Sequence, residues 1–250
     1  MLAPIGAPTF AEALRAGAET YTVLRGLIHD RGMATGLGDE GGFAPDLAQP
    51  HEVLDLLTEA IIGAGYLPGI EGIAIALDPA ASEFRTNGRY RVAGDDLTSS
   101  DMIDLYGDLV GRYPIWSIED GLAEDDWEGW KQLTETLGGS VQLVGDDNFV
   151  TNPAIISEAI AGGIANALIK VNQVGTVTET LEAMRICRQA GYAQMVSHRS
   201  GETTDTFIAD LAVATGCGQL QSGAPARGER VAKYNRLAEI AHESAMPYGR

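Results

Sequence analysis

Cysteine is nearly absent: Cys187 and Cys217 are the only two in 250 residues. Their spacing fits no metal motif, and two thiols cannot staple a chain this long, so the usage suits a reducing, cytoplasmic compartment. Long apolar runs are missing as well. No stretch approaches the ~20 residues that cross a bilayer. The opening MLAPIGAPTF has neither the basic nor the apolar region of a secretion signal. Positive charge is scarce, with 17 Lys and Arg against 35 Asp and Glu and a formal net charge of −18. That balance argues against a nucleic-acid or anionic membrane partner, both of which need clustered cations. Most of the acid serves solubility. Lysine is rarest among the cations: Lys131, Lys170 and Lys233 are all there are. Any lysine in an apolar segment therefore stands out. Internal repeats, low-complexity segments and interdomain linkers are also lacking, and residues 1–250 read as one domain.

What is present is alternation. Short β-rich runs at 2–6, 73–78, 115–119, 141–146, 167–171, 193–197 and 219–222 alternate with helical patterns. The helical patterns lie near 10–31, 50–64, 99–112, 126–137, 152–162, 177–190, 204–216 and 227–244. Asp126 and Asn152 stand where N-caps are wanted, and Gly63, Gly138, Gly162 and Gly191 near helix ends. FRTNGRYRV predicts a hairpin turning at Asn87-Gly88. Most strands are apolar at consecutive positions, as when both faces are covered. The predicted fold is α/β, a parallel sheet with helical crossovers. Its strand count is one short of an eight-stranded TIM-type (β/α) barrel, and the deficit falls at the front, where the chain opens inside a strand pattern.

Chemistry gathers at strand ends. IAIALD ends on Asp78, IWSIED on Glu119 and Asp120, and VQLVGDD on Asp146 and Asp147. ALIKVNQ carries Lys170, and AQMVSHRS runs into His198, Arg199 and Ser200. The C-terminal ends of parallel barrel strands meet at one mouth. Carboxylates sharing a mouth raise one another's pKa unless a cation intervenes. Asp78, Glu119 and Asp146 are therefore expected to bind a hard divalent ion; their oxygen-only chemistry favours Mg2+. Strand-end acids can instead cap helices. Asp120 and Asp147 are expected to point away along the pleat, and the acids at 124–126 to sit at a helix N-terminus. Lys170 is a candidate base; a plain salt bridge to one of the carboxylates is the other reading. His198-Arg199-Ser200 suits an oxyanion such as phosphate, or is ordinary loop chemistry.

Residues 36–46, GLGDEGGFAPD, carry the glycine spacing of a dinucleotide turn, but follow a helical pattern rather than a strand, so that motif fails its context. The glycines allow a tight fold with Glu40 at the tip. Glu40 is a candidate acid for a leaving hydroxyl, unless the stretch is simply a flexible loop.

GDEGGFAPD, LDPAASEF, SIEDGLAEDDW, GDDNFVTN, KVNQVGT, SHRSGETTDTFIADLAV and SGAPARGERVAKYN occur in the order of the enolase (phosphopyruvate hydratase) family. The resemblance covers essentially the whole chain and is specific within the enolase superfamily of barrels. It implies the C-terminal barrel portion, with the N-terminal α+β domain and first barrel strand not included. It implies Mg2+-dependent interconversion of 2-phosphoglycerate and phosphoenolpyruvate in glycolysis. Lys170 would take the C2 proton, Glu40 would assist loss of the C3 hydroxyl, and Asp78, Glu119 and Asp146 would hold the ion. Substrate contacts would come from Glu119, Asp146, Ser197, His198, Arg199, Ser200 and Gln221, with Arg199 and Ser200 on the phosphate. Family members are typically homodimers. The family has lysine where Gln221 stands, a contact to the substrate carboxylate, and a loop serine, a histidine and a glutamate of the family's site lie in the portion not included. A non-catalytic or impaired fragment that acts as a binding partner is the alternative function.

Overall fold

The computed structural model describes residues 1–164, 166–244 and 246–248. In chain order the elements are β1 (Leu2–Ala3), α1 (Phe10–Asp30), α2 (Pro50–Gly63), β2 (Ala74–Leu77), β3 (Arg85–Thr86), β4 (Arg89–Val92) and β5 (Asp95–Leu97). There follow α3 (Ser99–Arg112), β6 (Ile115–Glu119), α4 (Trp127–Leu137), β7 (Gln142–Gly145), α5 (Pro153–Gly162), β8 (Asn166–Ile169) and the four-residue α6 (Val171–Val174). The chain closes with α7 (Val177–Gln189), β9 (Gln194–Ser197), α8 (Phe207–Thr215), β10 (Leu220–Gln221) and α9 (Gly228–Glu243). No helix among the described residues is long and apolar enough to cross a membrane. The chain forms two compact units, Met1–Ile75 with Val196–Arg250, and Ala76–Met195.

In the discontinuous first unit, β1 pairs antiparallel with the start of β2, Leu2 opposite Ile75 and Ala3 opposite Ala74. This corrects the all-parallel expectation, and the run 2–6 shortens to two paired residues. The reason is the pair of helices between the strands. One crossover helix returns the chain parallel; a second adds another reversal. β10 pairs parallel with the end of β9, with Leu220 opposite Val196 and Gln221 opposite Ser197. The side chain of Thr9 caps α1 by accepting from Glu12 N at 3.2 Å, and Ala13, Ala16, Thr20 and Ile28 form its buried stripe. Pro50 opens α2, where the Glu52 carboxylate accepts from Gln49 N at 2.8 Å.

The second unit is built on a parallel ladder, β6 with β7 and β7 with β8. Ile118, Leu143, Val144, Ala167, Leu168 and Ile169 are all buried. Such unbroken apolar burial means that both faces of the ladder are covered. Val144, Leu168 and Met195 form a core cluster, with Trp116 packed on it. The predicted hairpin is present: Asn87 and Gly88 have φ of 51° and 77°, the sign a tight two-residue turn requires. A second such turn at Ala93-Gly94 adds β5, which the sequence reading missed.

Asp126 caps α4 as expected, and more. Its carboxylate accepts from Gly129 N at 3.1 Å, Tyr90 OH at 2.7 Å and Ser99 Oγ at 2.5 Å. Burial pushes its pKa up, but these donors outweigh burial and hold it below the ordinary value. Asp126→Ala removes a cap and strands the buried Tyr90 hydroxyl, so we expect a loss of about 2–4 kcal/mol, read by urea denaturation. A loss under ~0.5 kcal/mol would contradict this assignment.

Candidate functional site

Strand termination places the acids of the second unit. β2 stops at Leu77, β6 at Glu119, β7 at Gly145 and β8 at Ile169, so Asp78, Asp120, Asp146 and Lys170 each stand just past a strand end. Asp78 Oδ1 accepts at 3.1 Å from the N–H of Ala80, which itself takes φ of 51°. Glu119 is 2% exposed, and its Oε2 has no hydrogen-bond partner among the described residues. Its pKa lies well above the ordinary value, first from burial, then from the charges of Asp78, Asp146 and Asp120, with Lys170 opposing. Of the expected trio, Glu119 is therefore within electrostatic reach of both Asp78 and Asp146.

Asp120 and Asp147 do not turn away as pleat alternation suggested. The pleat governs only as far as the strand continues, and Asp120 takes φ of 42°. Its carboxylate accepts the N–H groups of Asp146 at 2.8 Å and Asp147 at 3.0 Å. Burial first, then the charges of Asp146 and Asp147, push its pKa up to about 7 against those two donors. Asp120, Asp146 and Asp147 offer oxygens within 4.8 Å of one another, a grouping able to hold a cation. Lys170 is ion-paired with Asp146 Oδ2, so the salt-bridge reading of this lysine describes the chain as it stands. The strand ends one residue before it, and its N–H donates to Thr151 Oγ1 at 2.8 Å. Gln173, unremarked in the sequence, donates to Asp146 Oδ1 at 3.0 Å and receives Thr151 Oγ1 at 3.0 Å. No side chain fits at Gly145, where a Cβ would lie 2.2 Å from Asn148 Oδ1.

The first unit carries the other candidates. The loop from Gly36 lies between α1 and α2, confirming that no strand precedes it. It is not a loose loop. Leu37 bridges to Phe43, Phe43 stacks on Tyr21 with ring centroids 4.5 Å apart, and Tyr21 OH donates to Gly41 O at 2.8 Å. Gly41 has φ of 80°, and a Cβ there would meet Ala226 O at 2.8 Å. The backbone of Glu40 is tied down, its carbonyl accepting from Ala224 N at 2.8 Å. Its half-exposed carboxylate stands 3.4 Å from Nε2 of buried His198. His198 N donates to Gln221 O at 3.1 Å, and Ser197 Oγ donates to His198 O at 3.1 Å. Arg199 N donates to Glu202 Oε2 at 3.1 Å. Gln221 Oε1 is buried and has no hydrogen-bond partner among the described residues.

Sequence reasoning missed what holds this segment. Arg230 is fully buried and donates to the carbonyls of Arg199 at 2.7 Å, Ser200 at 2.8 Å and Asp39 at 2.9 Å. Lys233, one turn on along α9, donates to Thr203 O and to Glu229 O at 2.8 Å, and lies 3.3 Å from Glu202 Oε1. The scarcity of lysine was the available signal for Lys233; nothing in the sequence flagged Arg230.

Residues 1–247 match the family model described as the enolase C-terminal TIM barrel domain. The chain is 60% identical over 244 residues to the enolase of Acidothermus cellulolyticus, covering 97% of this chain and 57% of that protein. It is 59% identical over 243 residues to the enolase of Rubrobacter xylanophilus, 96% of this chain and 56% of that one. It is 57% identical over 245 residues to the enolase of Mycobacterium leprae, 97% and 57%. The chain thus spans somewhat more than half the length of these curated relatives.

Proposed function

Since the chain belongs to the enolase family through its C-terminal TIM barrel domain, we propose that it carries the proton-transfer and metal-binding part of the reversible dehydration of 2-phosphoglycerate to phosphoenolpyruvate. The observation that carries this reading is the buried Glu119 oxygen, without a hydrogen-bond partner among the described residues, whose pKa is raised by burial and then by the acids around it. Burying several carboxylates without a cation is unfavourable, so the donor set fits Mg2+, with Asp78, Glu119 and Asp146 as ligands and Asp120 orienting Asp146 through its N–H. When bound, that ion supplies positive charge that stabilises the negative charge developing as a proton leaves carbon beside a carboxylate.

Lys170 takes the C2 proton. To do so it must leave the Asp146 pair and first give a proton to solvent, because only the neutral amine has a lone pair to offer. Glu40 delivers a proton to the departing C3 hydroxyl. Ser197, His198, Arg199 and Ser200 bind the substrate, the guanidinium and hydroxyl on its phosphate. Gln221 meets the substrate carboxylate as a neutral donor. A cytoplasmic location and homodimeric assembly belong to the same proposal. The test is turnover of 2-phosphoglycerate by the purified chain with Mg2+, followed by the absorbance of the enol product. Turnover of sugar acids in its place would overturn the substrate assignment.

Gln221 favours a second reading, a chain that binds without turning over. Charge-assisted hydrogen bonds contribute about 1.5–3 kcal/mol, so Gln221→Lys is expected to raise kcat/KM roughly 10- to 100-fold. Calorimetric binding of Mg2+ and a substrate analogue, with no turnover in either form, would leave only the second reading. Full activity of the unmodified chain would exclude it.

A further inference from the structure

We propose that Arg230 is a positioning residue that fixes the tautomer of His198, placing the ring proton on Nε2 and so aiming a hydrogen-bond donor toward the Glu40 side of the ring. The inference rests on contacts within the first unit alone. Its meaning for catalysis rests on the function proposed above, whereas the tautomer itself does not.

The guanidinium is fully buried, and its two Nη atoms meet four acceptors. Nη1 meets His198 Nδ1 and donates to Arg199 O, while Nη2 donates to Asp39 O and Ser200 O. Nε faces Glu229 Oε1 at 3.9 Å, outside hydrogen-bond range. An arginine offers only donors. The ring nitrogen facing it must therefore accept, which leaves Nδ1 without a proton and puts the proton of the neutral ring on Nε2. The imidazolium would set N–H against N–H in a buried place.

Nε2 is itself buried and makes no hydrogen bond among the described residues; Glu40 Oε1, at 3.4 Å, lacks the geometry for one. A buried N–H left unmade costs about 1–3 kcal/mol. His198 is therefore a donor waiting for an acceptor oxygen, and cannot serve as a base through Nε2. The same guanidinium grips the carbonyl just before Glu40 and those of Arg199 and Ser200. It thereby sets the spacing between the Glu40 loop and the His198 segment as well as the proton's place. Lys233 secures the next stretch at Thr203 and Glu202.

The test is two-bond proton–nitrogen correlation spectroscopy on the chain labelled with 15N-histidine at neutral pH. The 4 histidines are resolved and His198 is assigned by its loss in His198→Asn. The expected pattern is an unprotonated Nδ1 and a protonated Nε2. A proton on Nδ1, or on both nitrogens, in the unmodified chain overturns the proposal whatever the variants do. Arg230→Lys keeps a charge on α9 but loses the fork, and the Nδ1-protonated form should then become populated. An unchanged His198 pattern in a folded Arg230→Lys chain also overturns it. An Nε2-protonated His198 in a chain that never dehydrates 2-phosphoglycerate would uphold this inference and defeat the proposed function, so the two failures are distinct.

Discussion

Under the proposed function, Lys170→Ala is expected to lower turnover of 2-phosphoglycerate by roughly 10³-fold or more, the scale at which a positioned base contributes, while Mg2+ binding persists. The two readouts separate because the proposed function gives Lys170 a part beyond its ion pair. As the proposed base it is irreplaceable by alanine. As the ion-pair partner of Asp146 it competes with any cation for that carboxylate, so its removal leaves Asp146 freer to bind one. Calorimetry should accordingly give a Mg2+ affinity at least equal to that of the unmodified chain. Undiminished turnover in Lys170→Ala would end the assignment of the base. Lost Mg2+ affinity would show instead that the lysine holds the carboxylates in place.

The second large effect is on stability against pH in metal-free buffer. Asp120 has a folded pKa raised to about 7 from an ordinary 3.8. The folded chain then keeps a proton that the unfolded chain releases above about pH 4. Its contribution is fully present below that value and is lost as pH rises through about 7. A rise of that size in a group 5% exposed corresponds to on the order of 4 kcal/mol. Glu119, also raised, acts in the same direction. Asp126 acts oppositely and elsewhere: its lowered pKa gives stability that disappears as pH falls below about 4. Urea denaturation in chelator from pH 5 to 8 should therefore show declining stability, with a much shallower slope in Asp120→Asn. Equal slopes in the two proteins would remove Asp120 as the source. Added Mg2+ should restore stability most at the upper end, where the carboxylates are ionised.

The sequence made the strand ends legible because burial on both faces gives uninterrupted apolar runs, and the first polar residue after each run is conspicuous. Asp78, Glu119, Asp146 and Lys170 were singled out that way. What failed was inference past the last paired residue. Asp120 was set aside by a rule of alternation that stops applying at Glu119, and only its positive φ brings its carboxylate back under Asp146 and Asp147. The direction of β1 was unreadable for a related reason: periodicity marks helices, but a strand's sense depends on how many reversals precede it. Gln173, Thr151 and Arg230 were invisible because their roles come from contacts distant in sequence, which one chain read alone does not encode. The resemblance to a family, by contrast, lay in contiguous motifs and needed no geometry at all.

The grip of Arg230 on Asp39 spans 191 residues of chain. During synthesis at 5–20 residues per second, the segment bearing Glu40 waits roughly 10–40 s for the helix that anchors it to leave the ribosome. Closing so long a loop is entropically slow to be rewarded. The corner that would contact substrate is thus finished only once α9 is made, and a nascent chain released before α9 would carry every proposed reacting side chain yet lack the clamp that arranges the Glu40 and His198 segments.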